Sequence, residues 1–118
     1  MQKRKENKRP ITVAFDIDDT LWRIRSEKKD QVPDYDLIAV LRWFWSNGDK
    51  VYVWSAGGID YAAQICVKLG IDEYIDGVVE KGLNGLNPDL VFDDALTKLG
   101  KVDVHVQRDG MTYEEKYH

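Results

Sequence analysis

Five residues of strand-forming character, Ile11-Thr-Val-Ala-Phe15, run directly into three carboxylates within four positions, Asp16, Asp18 and Asp19. No other stretch constrains the fold as tightly. The apolar, β-branched run reads as a buried strand of the kind found in parallel sheets. The acids that end it repel one another, and gathering them costs free energy unless a cation or a proton neutralises them. Open α/β sheets bind ligands at the carboxyl ends of their strands, so the acids stand where such a fold keeps its site. A turn former or a helix cap accounts for one Asp. It does not account for three.

Strands and helices alternate after that point. Trp22 to Val32 is charged and without a sustained period, and reads as a loop or short hairpin over the acids. Pro33-Asp34 opens a helix with Leu37, Ile38, Val40, Leu41, Phe44 and Trp45 at helical spacing, stopped at Gly48. Trp43, Phe44 and Trp45 on that helix read as core and half-core residues rather than as a base-stacking surface. Lys50 to Trp54 is the second strand, and Ser55-Ala56-Gly57-Gly58 follows it. A small hydroxyl residue before two glycines lets backbone amides close on an anion. The next helix begins near Ile59-Asp60, and its N-terminal dipole favours negative charge there.

That helix carries Tyr61, Ile65, Val67 and Leu69 and ends at Gly70. Residues 75–80 form a third strand, Lys81 to Pro88 a turn-rich loop, and Asp89 to Phe92 a fourth strand that ends in Asp93-Asp94. Ala95 to Leu99 is at most a short helix. Val102 to Val106 alternates in the manner of an edge strand, with His105 half-exposed on it, and Asp109 to His118 reads as a loosely held end. Alternating strands and helices predict an α/β fold with a parallel sheet and right-handed crossovers.

Length bounds the domain count. A chain of 118 residues builds one core, over residues 11–118, behind a basic flexible tail at 1–10. Five basic residues against Glu6 give the tail a net +4, which leaves −8 on the body of a chain whose total is −4. Such a tail can touch nucleic acid or another polyanion, but more often it is a solvated terminus. No apolar run approaches the roughly 18 residues that would span a membrane. The single Cys66 cannot form an intramolecular disulfide and reads as a small buried apolar side chain. A cytoplasmic location is the default expectation.

Three strand ends thus carry chemistry: Asp16 with Asp18, Ser55 with its glycines, and Asp93 with Asp94. In a parallel sheet they share one edge. Asp16 and Asp93 would make an oxygen-donor site suited to Mg²⁺, which keeps several waters and binds through one or two carboxylates plus phosphate. Asp16 and Asp18 could then divide the roles of nucleophile and proton donor.

These residues carry a resemblance. Phe15-Asp16-Ile17-Asp18-Asp19-Thr20-Leu21 resembles the first motif of the haloacid dehalogenase superfamily, Asp-x-Asp-x-Thr after a hydrophobic strand. Trp54-Ser55-Ala56-Gly57-Gly58 is similar to the second motif and Val91-Phe92-Asp93-Asp94 to the fourth, in the right order over residues 11 to 95. The resemblance implies a three-layer, doubly wound sheet and a phosphatase in which Asp16 attacks phosphorus and Asp18 serves as acid and base. It implies Mg²⁺ on Asp16, the Asp18 carbonyl and Asp93, with Asp94 acting through water or orienting its neighbour. It also implies phosphoryl contacts from Ser55, Ala56 and Gly57.

The family's lysine is the departure, because Asn87-Pro88 stands where a Lys-Pro pair is often seen. Lys81 is the nearest candidate, Lys68 a second, and Lys98 lies beyond the fourth motif. The short spacings between motifs leave no room for a cap domain. Capless relatives take bulky phosphorylated substrates or borrow a cover from a second subunit, which makes a homo-oligomer one expectation. Trp22 and Arg23 to Lys29 are the expected substrate contacts. Two rivals stand beside this reading. One is a catalytically quiet module binding phosphate or metal; the other is a receiver domain, disfavoured because Glu80-Lys81 occupies the acceptor position.

Overall fold

The computed structural model describes residues 3–25, 30–82 and 85–106. The Ile11–Phe15 run forms β1 (Thr12–Asp16), the middle strand of a five-stranded sheet. β4 (Lys50–Ser55) pairs with it on one side and β6 (Leu90–Asp93) on the other. β5 (Gly77–Glu80) and β7 (Val102–His105) complete the order β5-β4-β1-β6-β7, and every pairing is parallel. A separate hairpin, β2 (Trp22–Arg25) with β3 (Asp30–Pro33), occupies the stretch read as a loop or short hairpin.

Two helices make the crossovers from β1 to β4 and from β4 to β5. α1 (Tyr35–Ser46) links β3 to β4, and Asp34 caps it by accepting the Leu37 N–H at 2.9 Å. α2 (Ile59–Lys68) links β4 toward β5, followed by a 3₁₀ turn over Asp72–Tyr74. Strand side chains alternate between faces. Val13, Phe15, Val51 and Val53 join Ile38 and Leu41 of α1 and Ala62, Ile65 and Cys66 of α2 in one buried cluster. Ala14, Trp54 and Val91 face the other way and are covered, among the described residues, by Val79, Leu86 and Leu99. Both helices therefore contribute to one cluster, and no described helix residue belongs to the other.

Aromatic packing ties the central strands to α1. Phe15 stacks on Phe92 with centroids 4.7 Å apart and meets Phe44 edge-on at 6.4 Å. Phe15→Ala would cost about 3–5 kcal/mol, the usual range for removing a buried ring. Cys66 is buried as expected, and burial pushes its thiol up to about 12. Trp43 is exposed, whereas Trp45 lies edge-on to Tyr74. No described helix is long and apolar enough to cross a membrane.

The amino edge of the sheet is closed by three aspartates, each accepting a strand-start amide. Asp49 takes Ile11 N–H at 3.1 Å, Asp76 takes Val51 N–H at 2.8 Å, and Asp89 takes Thr12 N–H at 2.8 Å. The N-terminal segment differs from the expected solvated tail. Lys5 N–H donates to the Ser46 carbonyl, and Asn7 Nδ2 donates to both the Asn47 carbonyl and Asp49. Arg4 makes a two-pronged pair with Asp76 and lies over the Trp45 ring. Charge alone suggested a free tail, but here a guanidinium meets a carboxylate and an aromatic face together.

Candidate active site at the carboxyl edge of the sheet

The register sets the site. Asp16 lies beside Trp54 on β4, and Phe15 beside Phe92 on β6, so Asp16, Ser55 and Asp93 end adjacent strands on one edge. Ser55 in turn lies beside Glu80, which puts Lys81 one residue past the end of β5. From there its long side chain reaches back across the sheet. Lys81 Nζ lies 3.1 Å from Asp16 Oδ1 and 2.7 Å from Asp93 Oδ2.

The chain turns sharply after β1. Asp19 takes a left-handed φ of 59°, which Asp tolerates better than most residues, and Thr20 and Leu21 both donate their N–H to the Ile17 carbonyl. The turn brings Thr20 back under Asp16. Thr20 Oγ1 donates to Asp16 Oδ2 at 3.2 Å and accepts the Asp94 N–H at 3.0 Å, tying the two acidic strand ends together. Asp93 Oδ1 accepts the Ala95 N–H at 2.9 Å. His105, on β7, has Nε2 2.9 Å from the Asp94 carbonyl oxygen, which makes it a neighbour of the site rather than a member.

Asp16, Asp93 and Asp94 each bring a carboxylate oxygen within 4.8 Å of the others, enough to hold one metal ion. An all-oxygen donor set favours a hard cation. Asp16 and Asp93 are both buried. Burial first, and then the Asp93 charge, push the Asp16 carboxyl up to about 7, while Lys81 works in the opposite direction. Burial disfavours the charged Lys81 ammonium, but Asp93 and Asp16 outweigh it and hold its pKa above the ordinary lysine value.

The Asp18 carboxylate has partners of its own. Its Oδ1 accepts from Trp22 Nε1 at 3.0 Å and from the Tyr61 hydroxyl. Burial and the bond to Asp18 push the Tyr61 phenol up to about 12. Of the four expected metal residues, the carboxylates of Asp16, Asp93 and Asp94 converge, and that of Asp18 is not among them.

The Ser55 turn also differs in detail from expectation. Ser55 Oγ accepts the Gly57 N–H at 3.0 Å and the Ser55 carbonyl accepts the Gly58 N–H, so those two amides are engaged within the turn. Ala56 is exposed beside them, and α2 starts at Ile59 behind the N-cap residue Gly58, which brings no side-chain hydrogen bond. Its first amides are therefore open to an anion.

Tyr61 reads from its helical spacing as core packing and Trp22 as a substrate contact; neither reading anticipates a bond to Asp18. A phenol in the first helical turn after Gly57-Gly58 is the one signal that could have found it. Arg23 lies within the described residues; residues 26–29 of the expected contact loop, Leu83 and Asn84 of the turn-rich loop, and the end from 107 onward lie outside them.

The fold and site together define an α/β chain with a parallel sheet and a triple-aspartate, single-lysine cluster at its carboxyl edge. Comparison with protein-family models, curated proteins and solved structures gave no match.

Proposed function

We propose that the chain is a Mg²⁺-dependent phosphohydrolase of the haloacid dehalogenase type, acting on a phosphomonoester through an aspartyl-phosphate. The observation that carries this reading is the Lys81 ammonium shared between Asp16 and Asp93, with Asp94 completing the acidic set. A lysine there offsets the charge of a nucleophilic carboxylate facing a phosphate.

In the first step an Asp16 carboxylate oxygen bonds to phosphorus, and the ester P–O bond breaks. The leaving oxygen takes the electron pair and a proton from Asp18. In the second step water attacks the phosphorus, its proton passes to Asp18, and the bond to Asp16 breaks to release orthophosphate. Ser55 Oγ–H and the Ala56 amide hold phosphoryl oxygens, and Lys81 favours the ionised form of Asp16 against the effect of burial. Mg²⁺ held by Asp16, Asp93, the Asp18 carbonyl and Asp94 would supply charge neutralisation at those oxygens.

The doubly wound part of the reading draws support from β1 lying at the centre, with the chain crossing from β5 on one side to β6 on the other. Among the described residues no helix packs on the face of Ala14, Trp54 and Val91, so the third layer of that reading rests on the resemblance alone. Between β1 and α1 the described chain holds only the β2–β3 hairpin, which supports a capless site open to bulky substrates. A quiet module would have no need of a charge-balancing lysine, and the two Lys81 ion pairs weigh against that rival.

Calorimetric titration with beryllofluoride, a mimic of the phosphorylated carboxylate, tests the reading. The parent is expected to bind it only with Mg²⁺, and Asp16→Asn not at all. Binding that ignores Mg²⁺ or survives Asp16→Asn would contradict the proposal.

A further inference from the structure

Two aromatic residues from different elements converge on one carboxylate atom. Trp22 opens β2 four residues after Asp18, while Tyr61 lies in the first turn of α2, 43 positions away; both donate to Asp18 Oδ1. A carboxylate offers two oxygens, so loading both donors on Oδ1 leaves Oδ2 for a reacting group.

Neither donor is free to wander. Trp22 is 2% exposed, part of the main buried cluster, and the Lys68 ammonium lies 5.5 Å from its ring centroid. Tyr61 is fixed from the side of the Ser55 turn: a Cβ added at Gly57 would stand 2.9 Å from Tyr61 Cδ2. The ring therefore packs against the backbone of the turn while its hydroxyl holds Asp18. One side chain thereby sets the spacing between the phosphate-side turn and the acid.

We infer that Tyr61 and Trp22 are positioning residues that fix the Asp18 carboxyl in one rotamer and present Oδ2 for proton transfer. The inference rests on the phosphohydrolase reading above. An unheld Asp samples several staggered wells, and proton transfer needs a heavy-atom approach of about 2.6–3.2 Å. Loss of a donor should then matter most where the leaving oxygen needs a proton. An alkoxide does; a nitrophenolate does not.

The test compares kcat/KM, which covers only the steps through ester cleavage, for glycerol phosphate and p-nitrophenyl phosphate with Mg²⁺. Tyr61→Phe is expected to lower the alkyl value about tenfold more than the aryl value, with Trp22→Phe in the same direction. Equal losses on both substrates, no loss, or a gain on the alkyl ester would overturn the inference; a gain would mean the two donors park Asp18 away from the site. A second readout does not depend on turnover. The Trp22 indole ¹H–¹⁵N resonance, assigned by Trp22→Phe, is expected to move in Asp18→Asn and in Tyr61→Phe. An indole resonance indifferent to Asp18→Asn overturns the contact itself. If the parent turns over neither ester, the phosphohydrolase reading falls and this role falls with it, whereas an active parent with equal losses removes the positioning role alone.

Discussion

Lys81 and Asp16 are 65 positions apart in the chain, yet Lys81 Nζ lies 3.1 Å from Asp16 Oδ1. The contact is possible because β5 and β1 run parallel and end on one edge, with β4 between them. It places one ammonium, 20% exposed, between two buried carboxylates.

Removing that ammonium should leave Asp16 and Asp93 uncompensated. Truncating one partner of a buried charge group typically costs about 3–5 kcal/mol; because Asp16 can take up a proton, we expect a loss of roughly 3 kcal/mol for Lys81→Met near pH 8. The loss should shrink near pH 5 and on addition of Mg²⁺. Urea unfolding in chelator, at both pH values, measures it. A loss below about 0.5 kcal/mol at the higher pH would argue that the pair is only a surface contact.

Asp16 also predicts a pH slope. Its folded value, about 7, lies above the ordinary 3.8, so the metal-free folded state binds more protons between those limits. Its contribution to stability is therefore fully present below about pH 4 and lost as pH rises through about 7. The slope is at most about 1.4 kcal/mol per pH unit. Asp76 acts in a separate window: burial opposes its charge, but Arg4 and the Val51 amide hold its pKa below 3.8, so its contribution is lost only under more acid conditions. Denaturation of chelated protein should show the Asp16 slope, Asp16→Asn should flatten it, and Mg²⁺ should stabilise more at pH 8 than at pH 5.

At the opposite edge, Arg4→Ala should destabilise by about 1–2 kcal/mol through loss of a charge-assisted, two-pronged pair. Turnover should be unchanged, since Arg4 holds the amino edge of the sheet through Asp76 and the Asp49 carbonyl. Thermal unfolding at low and high salt checks the first statement and a rate assay the second.

Gly48 gives a sharper check on that segment. It has φ +85°, and a Cβ there would stand 2.5 Å from the Lys5 carbonyl oxygen and 2.6 Å from Asn7 Cβ. Gly48→Ala should cost roughly 1–2 kcal/mol from backbone strain and more from the clash. Deleting residues 1–9 should remove the clash and leave the strain. A double-mutant cycle between the substitution and the deletion is expected to be non-additive; simple additivity would mean the segment does not pack on Gly48.

Much of the sheet and its acidic edge was legible because the relevant signals are local. The Ile11–Phe15 run, the Gly stops at 48 and 70 and the acids that follow β1 and β6 need no distant partner to be read. The parts that escaped depend on tertiary pairing. Arg4 reads as solvated charge until Asp76 and Trp45 are brought beside it, and Tyr61 reads as core until its hydroxyl meets Asp18. The short helix allowed over Ala95–Leu99 does not form. Asp93 Oδ1 takes the Ala95 amide, and Asp103 Oδ1 takes the Thr97 hydroxyl and the Leu99 amide, bonds that compete with helical ones.

The most direct test of the central claim is the hydrolysis of an aryl phosphate with and without Mg²⁺, in the parent and in Asp16→Asn. Turnover is expected to require Mg²⁺ and to fall by at least about 10³-fold when the nucleophilic carboxylate becomes an amide. Turnover that persists in Asp16→Asn, or that proceeds equally well in chelator, would contradict the claim.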